Sequence, residues 1–353
     1  MADSPSADQI DAIVADPAWL PYRVRDAGRT LDLIYLPRDE LAKLNFIDRR
    51  SQPARWETVG EGAPRLLMPV AAIADQARTL NSGHGHFIFH SAFCGSTLMS
   101  RALDIEGTAC VLREPRVLHE LALMKPGSSL PDEHRLALDV SLDLMQRSRL
   151  PGEKVIIKPA NVANPLIEYI MERQPDSRAL LMYLSLPDFI MAIARRRRWS
   201  WARNLAVFYR RHLEFETRQT QELLYLTDLQ IAAFLWLQQQ AQFARLVREL
   251  PEGRVATLRA DVFAARATES IAAAAAFFGL SLDEDEAAAI TAGPAFQKHS
   301  KRDAENYDES TRKRDEALVK FAFGPEIEQG TEWGQAIAAD ASIPLDLQAP
   351  LIR

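Results

Sequence analysis

Between a β-forming run, His86-Phe87-Ile88-Phe89, and a stretch of helical spacing that opens at Ser96, the chain carries His90-Ser91-Ala92-Phe93-Cys94-Gly95. A strand that turns through small residues directly into a helix aims several backbone N–H groups, and the positive end of the helix dipole, at one point. Such a point holds a phosphate. Gly95 lets the main chain approach the anion, Cys94 lies in the same cradle, and the hydroxyls of Ser96 and Thr97 can donate to the anion's oxygens. A Walker A loop needs Lys where Ser96 stands and an earlier glycine, and this segment has neither. It also lacks the arginine that closes a Cys-based phosphatase loop.

Three further side chains could move protons or stabilise charge. Lys158 ends the apolar run Lys154-Val155-Ile156-Ile157, and open α/β sheets gather ligands at the C-terminal ends of their strands; a salt-bridged lysine is the other reading. Glu114, in Leu112-Arg113-Glu114-Pro115, is a candidate base, or a cap for the helix that follows. His90, at the mouth of the turn, is a second candidate base, or a hydrogen-bonded scaffold residue. His84, His86 and His90 share strand parity, yet His90 already lies part-way round the loop and no carboxylate joins them, which argues against a metal site. The arginines 195–198 cannot all face one way on a helix, because consecutive positions step by about 100°.

The elements that must position these groups alternate. Apolar runs at 86–89, 109–112, 154–157, 179–184 and 254–258 are separated by segments of helical periodicity at 96–103, 116–124, 131–147 and 164–173. Continuous apolar strands between helices predict a doubly wound α/β fold, a mainly parallel sheet with helices on both faces. From Pro187 to Leu250 turn signals nearly vanish, which predicts a helical insertion at about 188–250. Gly279 is placed to cap the Ala-rich helix before it. The expected layout is an N-terminal appendage over 1–83, an α/β domain over 84–300 and a C-terminal extension over 301–353.

Bulk properties narrow the function classes. The 353 residues are 47% hydrophobic and 25% charged, which suits a globular chain with a sizeable core. A net charge of −6 argues against coating a nucleic acid, so any anion must be captured locally. Two cysteines, Cys94 and Cys110, make no disulfide framework or structural zinc set. No apolar stretch is long enough to span a bilayer, and the acidic N-terminus is unlike a secretory signal, which predicts a cytoplasmic protein with no membrane association.

The segment Gly95-Ser96-Thr97-Leu98 after an apolar strand resembles the 5′-phosphosulfate loop of sulfotransferases. Ile156-Ile157-Lys158-Pro159-Ala160-Asn161 resembles the strand of that family that ends in Lys-Thr-Pro or Lys-Pro. Arg254 to Asp261, followed by Phe277-Phe278-Gly279-Leu280, resembles its late strand, acidic loop and helix ending in Phe-Leu-Gly-Leu. The three pieces lie in the family's order across residues 86 to 300.

This resemblance implies a P-loop-like fold, 3′-phosphoadenosine 5′-phosphosulfate as donor, no required metal, and sulfuryl transfer to a hydroxyl or amine of a small-molecule or peptide acceptor. It implies Lys158 as the cation on the bridging oxygen, and Glu114 or His90 as the base. Cys94, Gly95, Ser96 and Thr97 would hold the nucleotide. Phe93 stands where the family usually carries Lys or Arg, and Ser185 where an arginine meets the 3′ phosphate. The missing charge then falls to Lys158, the run from Arg195, Arg203, or Lys298 and Lys301 near the chain's end. Two other readings stay open, a P-loop kinase or nucleotide hydrolase, and a nucleotide-binding protein that has lost catalysis.

Overall fold

The computed structural model describes residues 7–47, 64–80, 85–125, 130–212, 225–293, 296 and 309–352. The chain divides into two compact units, one of Met1–Ile88 with Leu103–Arg178, the other of Phe89–Ala102 with Ala179–Arg353.

Five strands, β4 (His86–His90), β5 (Ala109–Arg113), β6 (Lys154–Lys158), β7 (Ala179–Tyr183) and β8 (Val255–Arg259), form one sheet in the order β5-β6-β4-β7-β8. The pairings β5 with β6, β4 with β6, and β7 with β8 are parallel. Every residue of β4, β5 and β7 is buried, and neighbouring residues on a strand face opposite ways, so both faces of the sheet are covered. This is the expected α/β class, and the strands fall where the apolar runs placed them. The chain leaves β4 toward β5 at one edge and leaves β7 toward β8 at the other. Connections therefore diverge between β4 and β7, the type of place where such sheets bind ligands.

In the first unit, β1 (Trp19–Arg25), β2 (Thr30–Tyr35) and β3 (Arg65–Pro69) form an antiparallel sheet. Of these, sequence periodicity marks β2 alone; Pro21 in β1 and the shortness of β3 hide the other two. The sheet is fastened by charge. Glu120 accepts from Arg23 Nε at 3.0 Å and from the Val24 amide at 3.1 Å, while the Arg147 guanidinium donates to the carbonyls of Asp16 at 3.0 Å and Trp19 at 2.6 Å. The helix expected over 164–173 begins as a 3-10 segment, Asn161–Leu166, because Pro165 has no amide to donate; the α-helix follows at Ile167–Arg173.

In the second unit the helical insertion comprises Leu186–Arg196, Trp199–His212 and Asp228–Glu249. The last opens on a capping box, Thr227 Oγ1 accepting from the Gln230 amide at 3.3 Å and Gln230 Oε1 from the Thr227 amide at 2.9 Å. A helix over Glu309–Asp340 breaks its regularity at Phe323, two residues before Pro325. The tail then returns to β8, where the Thr257 amide donates to Ala349 O at 2.8 Å and the Leu351 amide to Thr257 O at 2.8 Å. Gly279 caps its helix at φ +66°, as the sequence indicates.

Candidate functional site

The turn after β4 lies in the second unit and is held open by its own backbone. Ala92, Phe93 and Gly95 have φ of +77°, +58° and +82°. A turn in which left-handed residues interrupt ordinary backbone can aim successive amides toward one side, the geometry of an anion-binding concavity. For Ala92 and Phe93 this conformation costs on the order of 1 kcal/mol each, a strain that persists only where the surroundings enforce it. Three contacts do so. The Ser91 amide donates to Met182 O at 3.0 Å, the Leu184 amide donates to Ser91 Oγ at 3.4 Å, and Trp236 Nε1 donates to Leu184 O at 2.8 Å. His90 completes the frame, its Nδ1 accepting from the Ala92 amide at 3.1 Å.

The short helix Ser96–Ala102 leaves directly from this turn, with Gly95 O accepting from the amides of Leu98 at 2.9 Å and Met99 at 3.0 Å. The amides of Gly95, Ser96 and Thr97 meet no acceptor among the described residues. They are the orphan donors that any helix start leaves over. Gly95 is required twice. Its φ is left-handed, and a Cβ there would lie 3.0 Å from Phe263 Cδ1.

Phe93 fills the place of the cation expected from the resemblance, and its ring has a guanidinium beside it. Arg196 Cζ lies 5.2 Å from the ring centroid, and the rings of Trp201 and Phe189 lie at 5.4 Å and 6.3 Å. The arginine run is dispersed by a helix end. Leu186–Arg196 stops because Arg197 turns left-handed at φ +50°, and the Arg198 amide returns to Ile193 O at 3.0 Å. Arg195 pairs with Glu316 at 3.0 Å, Arg197 and Arg198 are exposed, and Arg203 pairs with Asp228 at 3.0 Å. The sequence points to the run that opens at Arg195; within it, Arg196 is the member against the Phe93 ring.

Ser185 caps the same helix, its Oγ accepting from the Asp188 amide at 3.3 Å and donating to Asp188 Oδ2 at 2.6 Å. Asp188, the acid at this strand end, is thereby engaged with the cap. Lys298, Lys301 and His84 lie outside the described residues.

The remaining candidates, Lys158 and Glu114, meet each other in the first unit. Lys158 Nζ is 2.5 Å from Glu114 Oε1, and the Glu114 amide donates to Lys158 O at 2.7 Å. Glu114 is no helix cap. The helix Arg116–Met124 has Pro115 at its N-cap, and Glu114 itself sits at φ +51°. Its carboxylate keeps 19% exposure, while Lys158 is wholly buried with its ammonium 5.6 Å from the Phe46 ring centroid. Arg113, next along β5, donates to Asp104 Oδ2 at 2.9 Å and to Leu44 O at 2.7 Å, which ties the segment bearing Phe46 to this strand end. Phe46 had no signal in the sequence beyond being aromatic.

His86 and His90 are both engaged through Nδ1, which accepts from the Arg178 amide at 3.2 Å and the Ala92 amide at 3.1 Å respectively. Cys94 and Cys110 are buried and are not joined in a disulfide. No helix among the described residues is long and apolar enough to cross a membrane.

No protein-family model matches the chain, and no curated protein matches it by sequence. Among solved structures the chain is similar to a sulfotransferase from Alicyclobacillus acidocaldarius, at 16% identity and a TM-score of 0.38, over 69% of this chain and 96% of that one. It is also similar to the sulfotransferase domain from the curacin biosynthetic pathway, at 15% identity and a TM-score of 0.43, over 75% of this chain and 99% of that one. Both neighbours are sulfotransferases by name.

Proposed function

We propose that the chain is a sulfotransferase that moves a sulfuryl group from 3′-phosphoadenosine 5′-phosphosulfate to a hydroxyl or amine of a small-molecule or peptide acceptor. The observation that supports this reading is the turn at 92–95, with left-handed backbone and with Gly95, Ser96 and Thr97 amides that meet no acceptor among the described residues, after a strand at which connections diverge. Its donor set, neutral amides with the Ser96 and Thr97 hydroxyls, fits phosphate oxygens. It lacks the lysine with which a Walker A loop reaches the outer phosphates of a nucleoside triphosphate.

When bound, the donor supplies an activated S–O bond. The acceptor oxygen or nitrogen forms a bond to sulfur as the bond to the bridging phosphate oxygen breaks, and the acceptor's proton must leave. Glu114 is the base in this reading, because its carboxylate is the solvent-facing member of the pair with Lys158. Lys158 carries the positive charge that offsets what develops on the leaving oxygen. In this structure its ammonium is covered by Glu114, so direct contact with a ligand needs the carboxylate to swing away. His90, the other candidate base, holds the turn in this reading, its Nδ1 accepting from the Ala92 amide at 3.1 Å.

Calorimetry tests the reading. The protein is titrated with adenosine 3′,5′-bisphosphate, and separately with ATP and Mg²⁺. Binding of the bisphosphate alone is expected. Mg²⁺-dependent ATP binding in its place would point to the kinase or hydrolase reading, and bisphosphate binding with no transfer to any acceptor would point to lost catalysis.

A further inference from the structure

The turn at 90–97 offers a phosphate only neutral donors. Its eight residues, His90 to Thr97, include no lysine or arginine, and the chain as a whole is acidic at −6. Amides and hydroxyls bond a dianion's oxygens but bring no formal charge to balance it, whereas a guanidinium brings both a counter-charge and a two-pronged fork. A cation close to the turn would complete the cradle.

We infer that Arg196 supplies it, gripping the 5′ phosphate of the nucleotide with a guanidinium oriented by the face of the Phe93 ring. This rests on the nucleotide-binding reading of the turn and names which residue sets its charge. The geometry is specific. Phe93 stands inside the turn at φ +58°, and its ring is held by Trp201 and Phe189 with the Arg196 Cζ at 5.2 Å. A guanidinium against an aromatic ring is steadied by the ring quadrupole, and its planar fork suits two oxygens of one phosphate.

The fold spends several local rules on this placement. The helix carrying Arg196 starts at the Ser185 cap directly after β7, the strand whose Met182 carbonyl accepts from the Ser91 amide, so the helix and the turn are referred to the same strand end. It ends where Arg197 turns left-handed, which sends Arg197 and Arg198 into solvent. Arg195, one position earlier, pairs with Glu316 at 3.0 Å. Arg196 lies in the last turn, where a cation also complements the helix dipole. The phenylalanine thus replaces a cation at position 93 and orients a different one.

The test compares the wild type with Arg196→Met, and with Phe93→Lys in the Arg196→Met background, by calorimetry with adenosine 3′,5′-bisphosphate and adenosine 3′-monophosphate. Arg196→Met is expected to weaken the bisphosphate by about 10- to 100-fold, the usual range for a lost hydrogen bond to a charged group, and to leave the 3′-monophosphate unchanged. Phe93→Lys in that background is expected to recover most of the loss. If the wild type binds the bisphosphate and Arg196→Met binds it equally well, the inference is overturned and the nucleotide reading stands. Equal weakening toward both ligands would show a merely structural arginine and also overturn it. If the wild type binds neither ligand, the reading of the turn and this inference fall together. Arg196→Gln serves in the same comparison should the methionine variant not fold.

Discussion

Lys158 and Glu114, 44 residues apart in sequence, meet at 2.5 Å, the lysine wholly buried and the glutamate still reaching solvent. Each is therefore the main counter-charge of the other. Removing one leaves a charge in a poor solvent, so single substitutions confuse chemistry with stability.

Glu114→Ala is expected to destabilise the protein by about 3–5 kcal/mol, since it strands a buried ammonium. Glu114→Gln combined with Lys158→Met removes both charges together and should recover much of that stability. Sulfuryl transfer in the double variant should still fall by roughly 10²-fold or more, the usual size of a general-base contribution. Thermal melts and single-turnover assays on the three proteins separate the two effects. A double variant with wild-type transfer would remove the pair from catalysis.

Gly95→Ala should cost roughly 1–3 kcal/mol of stability, because a non-glycine residue is strained at φ +82° and its Cβ would press on Phe263 at 3.0 Å. Adding Phe263→Leu relieves the contact but not the dihedral, so recovery should be partial. Full recovery would mean that backbone strain at this position is negligible. Urea unfolding of the single and double variants measures the split.

Burial pushes the Cys110 thiol up from 9.0 to about 11. The folded state therefore keeps its proton where the unfolded chain loses it. The contribution is fully present below pH 9 and is lost as pH rises toward about 11, a change on the order of 2–3 kcal/mol. Stability measured from pH 8 to 11 should fall more steeply in the wild type than in Cys110→Ala. Equal slopes would show that this thiol does not titrate differently on folding.

Much of the fold was legible because its signals are local. Ile156 and Ile157, like Leu180 and Leu181, sit in uninterrupted apolar runs that only a sheet covered on both faces can bury, and the structure pairs them in parallel strands. The turn was legible for a related reason. Glycine and two hydroxyls between a strand and a helix are a backbone requirement written in residue type. β1 and β3 escaped, since Pro21 and the short run at Arg65–Pro69 give no clear period and become strands only by pairing with β2.

By itself the sequence determined where the five strands of the parallel sheet lie, that Gly95 must open a turn into a helix, and that Lys158 ends a buried strand. Only the tertiary structure decided that Glu114 is that lysine's partner, that Ser185 is spent on a helix cap, and that Arg196 rather than Arg195 sits against Phe93. The physical reason is range. Strand and turn propensities act over a few residues, whereas the direction of one arginine depends on where a helix stops, and a buried ion pair depends on which strands become neighbours.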